Sequence, residues 1–294
     1  MDSLIYRFAE HSDLQMLRSE LKSSAWRRLS TWLDISCTKP SWIIFSLWRG
    51  VVVQTLVLLT HPGYGIPLEC IRLPGQRANG SIDSRLLQLG IDCAKQCDAR
   101  ELFYSASENS SEEERIRDLG FCQWRELHCY ESADHVISSL NGYRTVEARL
   151  FSRTEIISLI EQASESCDDS QTKYFQHSIG SFADAKLTLE TMELAPQDPS
   201  WWLIALSPDD KKVGLILPVL NYGELTIGFM GVVPTFRGRG LASYLFKQLF
   251  PVINRSGYLT IFAEVDQRNR SMQRALSKSG FRLACRKREW RLNI

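Results

Sequence analysis

The sequence predicts a mixed α/β fold laid down twice in one chain. Three observations carry that prediction. Pro74, Arg77 and Gly80 match Pro234, Arg237 and Gly240 at a constant offset of 160 residues, within two loops of similar make-up. Asn109 pairs with Asn269, and Gly120-Phe121 with Gly280-Phe281, at the same offset, while Pro40-Ser41-Trp42 matches Pro199-Ser200-Trp201 at an offset of 159. Each half also runs in the order strand, strand, strand, loop, helix, strand, helix, strand.

In the first half, 42–47, 51–59 and 68–73 read as strands, 83–97 as a helix, 101–105 as a strand and 112–119 as a helix. In the second half, 201–206 and 213–220 read as strands joined by the turn Ser207-Pro208-Asp209-Asp210, and 224–233 as a third strand. Helical periodicity over 241–253 follows the Gly-rich loop. Then come a buried strand at 259–265 and a helix at 271–279, ended by Gly280. The polar segment 131–142, closing on Asn141-Gly142, is the expected linker between domains at 1–130 and 143–294.

Composition sets the class. The 294 residues are 44% hydrophobic and 23% charged, as in a soluble globular protein, and the net charge of +1 shows no overall preference for nucleic acid. The first seven residues carry no basic segment followed by an apolar run, and the apolar stretch 42–59 is broken by Arg49 and Gln54, so neither secretion nor a membrane partner is expected. The eight cysteines form no Cys-x-x-Cys pair and have no His at ligand spacing, so they read as reduced thiols in a cytoplasmic protein with no metal.

The chemistry concentrates in the loop 237–242, Arg-Gly-Arg-Gly-Leu-Ala. A strand that ends in such a loop and opens a helix turns several free N–H groups, and about half a positive charge, toward one point. A diphosphate fits there. Gly238 and Gly240 admit the anion to the backbone, and the small Ala242 lets the first helical turn approach. From Arg237 to the end, 13 Lys and Arg face 3 Asp and Glu, an excess of about 10 positive charges that suits a polyanion. Nucleic acid is the poorer match, because no aromatic residues interleave with Arg268, Arg270 and Arg274. Gly228 and Gly231, inside the strand before the loop, suggest a bulge or splayed segment.

Residues 237–242 satisfy the acyl-CoA signature of the GCN5-related N-acetyltransferase (GNAT) family, Arg/Gln-x-x-Gly-x-Gly/Ala after a strand. The run 264–272 with Gly280-Phe281 resembles the same family's later motif. The chain as a whole resembles tandem members of the family. The resemblance implies two tandem GNAT-like domains of the α/β (α+β) class, each a mixed, mostly antiparallel sheet flanked by helices. It implies an acyl-CoA-dependent N-acyltransferase, with acetyl-CoA or another acyl-CoA as co-substrate and a small-molecule or peptide amine as acceptor. It implies contacts to CoA from Val232, Val233, Arg237, Gly238, Arg239, Gly240, Leu241, Ala242, Asn269 and Met272. Acyl transfer also needs a neutral amine and a proton for the departing thiolate. Glu224, where some family members carry a catalytic glutamate, and Glu264 are the candidate bases, with Tyr222 a weaker option. Leu276 stands where many members place the tyrosine acid, leaving Tyr244, Ser277, water or no dedicated acid at all. His177 and Trp201-Trp202 fall where acceptor-binding elements are expected.

In the first half, Ala78, Asn79 and Ile82 replace Gly238, Arg239 and Ala242, so weak or absent CoA binding and a structural role are expected there. The competing class is a non-catalytic acyl-CoA-binding or interaction protein of the same fold.

Overall fold

The repeat has a structural counterpart in one turn of each half. Pro40–Trp42 and Pro199–Trp201 each form one 3-10 turn with Pro at its start, where the missing N–H costs nothing. The computed structural model describes residues 4–13, 39–60, 69–74, 82–107, 112–132, 140–195, 197–221 and 224–294. The loop 75–81, Asn109 and Tyr222 lie outside them, as do 133–139 of the expected linker. The chain forms two units, Met1–Glu126 with Arg286–Ile294, and Leu127–Cys285.

The first unit holds β1 (Ile5–Phe8), β2 (Ile43–Trp48), β3 (Val51–Leu59), β4 (Glu69–Pro74) and β5 (Glu101–Ser107), in that spatial order. Its sheet is closed by the last strand of the chain, β12 (Phe281–Asn293), whose residues Lys287 to Asn293 pair antiparallel with β5. Among these pairs only β4–β5 is parallel. Helices α1 (Ser84–Gln96) and α2 (Glu112–Asp118) pack on a core that includes Trp42, Leu56, Leu86, Ile116 and Trp290.

The second unit contains β7 (Arg144–Glu147), β8 (Leu203–Leu206), β9 (Lys212–Asn221), β10 (Glu224–Val232) and β11 (Phe262–Asp266). The strand that closes it comes from the first half of the sequence: β6 (Cys122–Ser132), through Leu127 to Glu131, pairs with β11. The order is β6-β11-β10-β9-β8-β7, and β10–β11 is its one parallel pair. Helices α3 (Arg153–Ser164), α4 (Ser170–Ile179), α5 (Ser181–Leu194), α6 (Leu241–Arg255) and α7 (Arg270–Lys278) complete it. On α6 the buried residues Leu241, Leu245, Leu249 and Ile253 recur at helical spacing, each Leu contributing roughly 1.5–3 kcal/mol by burial.

Two expected strands are shortened. Trp201 belongs to the 3-10 turn, held by the Asp198 carboxylate at Ser200 N–H (2.8 Å), and β8 starts at Leu203. The strand expected at 259–265 is β11, which begins at Phe262. Helices α3 to α5 fall where the sequence pattern assigned no element. On α5 the buried stripe is Asp184, Ala185 and Leu189, so a carboxylate stands where periodicity looks for an apolar side chain. Among the described residues no helix is long and apolar enough to cross a membrane.

Candidate functional site

Strands β10 and β11 share one ladder pair, Thr226 with Phe262, and no further pair follows as β10 runs on to Val232 and β11 to Asp266. The separation starts at a bulge. The register of β10 against β9 shifts between Ile227 and Phe229, leaving Gly228 as the extra residue. A Cβ on Gly228 would lie 2.2 Å from Met192 Sδ and 3.2 Å from the Leu217 carbonyl oxygen; one on Gly231 would lie 2.7 Å from Ala163 Cβ. Glycine at these positions lets α3 and α5 lie directly on β10 while the strand bends away from β11. The β11-facing backbone groups of β10 beyond Thr226 therefore have no strand partner.

The loop at the end of β10 is built for open N–H groups. After the 3-10 turn Pro234–Phe236, Gly238 and Gly240 take φ of 77° and 84°, and a Cβ at either would meet nothing within 4 Å. Their glycines are thus set by backbone conformation and not by packing. Gly240 caps α6 without a side-chain hydrogen bond, and the first backbone bond of the helix is Tyr244 N–H to Gly240 O (2.9 Å). Among the described residues, no acceptor takes the N–H groups from Gly238 to Ser243. With the helix dipole behind them, these open donors make the start of α6 a favourable setting for an anion.

The Arg237 guanidinium is bonded to four backbone carbonyls. Its Nε donates to Val232 O (2.9 Å), Nη1 to Ser166 O (3.3 Å), and Nη2 to Ala163 O (3.0 Å) and Glu165 O (2.6 Å). The guanidinium closes the C-terminal end of α3 and ties it to the end of β10. Arg239 is exposed, donates to Thr235 O (3.1 Å) and lies 5.1 Å from the Phe236 ring centre. Leu241 is buried and Ala242 half-buried at the first turn of α6; Val232 is buried and Val233 half-buried at the end of the strand.

Asn269 caps α7, its Oδ1 accepting from Met272 N–H (3.1 Å), and Met272 packs partly against the unit's core. The start of α6 lies against the C-terminal half of α7. Ser243 Oγ donates to Ala275 O (3.3 Å) and Ser279 Oγ to Ser243 O (3.5 Å), joining the start of α6 to α7. Sequence reasoning missed Asp266. Only 1% exposed at the end of β11, it accepts Ser170 N–H (2.9 Å) and Arg268 N–H (2.7 Å).

Glu224 and Glu264 are both exposed and lie on either side of the last ladder pair, two residues before Thr226 and two after Phe262. Four residues of parallel strand put them about 13 Å apart along the strands, so they do not form one acid–base pair. Glu264 is on the opened part of β11, on the face it shares with Asp266 by strand alternation, with Cys129 Sγ 3.9 Å from its Oε1. Tyr244 is turned away from β10 and β11. Its buried hydroxyl donates to Tyr143 O (3.3 Å) beside β7, roughly 14 Å or three strand spacings from β10, and burial pushes its pKa up. Leu276 is fully buried, and Ser277 Oγ donates to Gln273 O (3.0 Å). Trp201 and Trp202 are core residues whose indoles donate to Ser256 Oγ (2.9 Å) and Pro218 O (3.0 Å), whereas His177 is exposed on α4.

The basic excess is smaller at the site than the sequence implies. Of the 13 Lys and Arg after residue 236, Arg286, Lys287, Arg288 and Arg291 belong to the first unit, as does Glu289. There Arg288 pairs with Glu113 (2.6 Å) and Arg291 with Glu101 (2.7 Å). That leaves nine cationic residues against Glu264 and Asp266 in the second unit, an excess of seven, with Arg268, Arg270 and Arg274 exposed around the start of α7.

The corresponding helix start in the first unit is filled by its own carboxylates. Asp83 Oδ1 accepts Arg85 N–H (2.8 Å) and Leu86 N–H (3.2 Å), Oδ2 accepts the Tyr6 hydroxyl (2.8 Å), and Glu112 Oε1 accepts Ile82 N–H (3.0 Å). Among the described residues of this helix start, the N–H groups of Ile82, Arg85 and Leu86 are thus taken by carboxylates, which carry a phosphate's own sign of charge.

Residues 148–282 match the family model described as the acetyltransferase (GNAT) domain. No curated protein matches significantly. Among solved structures, a GCN5-related N-acetyltransferase from Sphaerobacter thermophilus superposes with a TM-score of 0.70 at 17% identity, over 98% of this chain and 95% of that one. A tandem GNAT protein from the clavulanic acid biosynthesis pathway gives 0.68 at 14% identity, over 99% and 98%. These likenesses show the fold: a two-domain, GNAT-like α/β architecture over the whole chain.

Proposed function

We propose, from the premise that residues 148–282 are a GNAT acetyltransferase domain in a chain of tandem GNAT fold, that the second unit transfers an acetyl group from acetyl-CoA to an amine. The observation that carries the reading is the row of unaccepted N–H groups from Gly238 to Ser243, placed where β10 and β11 have parted. The diphosphate of the co-substrate takes these donors. Its pantetheine arm takes the β11-facing backbone of β10, which is free of strand partners, and so brings the thioester toward the bulge at Gly228.

The Glu264 carboxylate, exposed on the opened part of β11, is the better placed base for the acceptor ammonium, and Glu224 lies below the last ladder pair. The departing thiolate takes its proton from water, since Leu276 has none to give and the Tyr244 hydroxyl is turned to Tyr143. The acceptor is a small-molecule or peptide amine. Carboxylate capping at Asp83 and Glu112 supports a single acyl-CoA site per chain.

Acetyl-CoA and a panel of amines, with thiol release followed by 5,5′-dithiobis(nitrobenzoate), test the reading; amine-dependent release supports it. The buried Leu276 favours the second reading, a non-catalytic acyl-CoA-binding protein. CoA binding without release on any amine would select that one.

A further inference from the structure

The gap between β10 and β11 needs something to hold its width. The strands meet at one pair, and Val232 lies six residues beyond it on β10 while Asp266 lies four beyond it on β11. Each diverging end is laddered on its outer side only, Val232 to Gly214 of β9 and Asp266 to Leu127 of β6, so beyond Thr226 no ladder pair spans the gap to fix its width.

One segment reaches both ends. The end of α3 and the turn into α4, residues 163–170, are held at one side by Arg237, whose guanidinium donates to Ala163 O, Glu165 O and Ser166 O while also gripping Val232 O at the end of β10. At the other side Asp266, the last residue of β11, accepts the N–H of Ser170, first residue of α4. Asp266 is buried and its second oxygen takes Arg268 N–H, so its carboxylate has no freedom to swing. Gln273 Nε2 in turn donates to Asp266 O (3.1 Å) and Gln267 O (2.8 Å), fixing the turn that follows. Each charged group is satisfied by backbone partners, which makes these bonds charge-assisted.

We propose that Arg237 and Asp266 are positioning residues that clasp segment 163–170 across the open end of the β10–β11 gap and so set its width for the pantetheine arm of acyl-CoA. The inference rests on the acyl-CoA reading above. Neither side chain touches the co-substrate; both act through the geometry of the strand ends.

The test compares two ligands: CoA, and adenosine 3′-phosphate 5′-diphosphate, which keeps the phosphates and lacks the arm. Asp266→Asn replaces one acceptor oxygen by a donor at nearly constant shape. Ser170→Pro deletes the N–H at the first position of a helix, where Pro is well tolerated, and leaves the CoA loop and Asp266 untouched. In both variants the Kd for CoA rises about tenfold, the effect of one hydrogen bond lost from a positioned site, while the Kd for the armless ligand stays within about twofold. Equal weakening of both ligands, or no change for either in a folded variant, overturns the proposal. Wild-type protein that binds neither ligand refutes the acyl-CoA reading itself, a result distinct from both.

Discussion

The Nε of Arg237 donates to the carbonyl oxygen of Val232 at 2.9 Å, folding the first residue of the glycine-rich loop back onto the strand it follows. The side chain that heads the motif is thereby engaged in building the loop. Arg237→Lys keeps the charge but loses the planar fork that serves four carbonyls. It lowers stability by about 1–3 kcal/mol, read by urea denaturation of the purified chain.

Gly240 holds φ at 84°, a left-handed conformation in which an L side chain costs about 1–2 kcal/mol. Since a Cβ there meets nothing within 4 Å, Gly240→Ala is destabilising by that conformational amount alone. Thermal denaturation of the variant beside wild type measures it; a neutral effect would mean that the loop relaxes.

Asn269→Ala removes the cap that accepts Met272 N–H and costs about 0.5–2 kcal/mol, whereas Asn269→Ser retains most of the stability. Chemical denaturation of both variants separates capping from a contact with ligand, because no ligand is needed for the loss.

Burial, and then the neighbouring Asp169 carboxylate, push Asp184 up to about 6 from 3.8. The folded state then holds this proton more tightly than the unfolded chain between those values. Stability falls as pH rises from about 4 to about 6 and the cost is complete above it, at most about 3 kcal/mol. Asp184→Asn removes this term and stabilises the protein at pH 7 more than at pH 4, as denaturation at the two pH values will show.

Glu264→Gln lowers kcat by about 10²–10⁴ with the Kd for CoA unchanged, as for loss of a general base. Glu224→Gln and Tyr244→Phe leave kcat within about threefold, Tyr244→Phe losing instead the buried hydrogen bond to Tyr143 O, roughly 1 kcal/mol. Steady-state kinetics on the acceptor found in the amine panel decides among the three.

Much of this was legible in the residues. The offset between Pro74 and Pro234 tracks a real repeat, and Gly228 marked the bulge, where an added Cβ would crowd the Leu217 carbonyl oxygen as well as Met192. The positive φ of Gly238 and Gly240 follows from residue type as well. Long-range pairing was not legible: nothing local in 286–294 says that it joins β5, since strand partners are chosen by packing and not by sequence neighbourhood. For the same reason the use of Arg237 as a clamp, the burial of Asp266 and the turning of Tyr244 toward Tyr143 emerged only from the folded chain.

Isothermal titration with acetyl-CoA tests the central claim most directly. The wild-type chain binds one equivalent, and Gly240→Asp, which sets a carboxylate against the open N–H groups, abolishes binding while the protein stays folded. Two equivalents, no binding by the wild type, or unchanged affinity in Gly240→Asp would contradict the account.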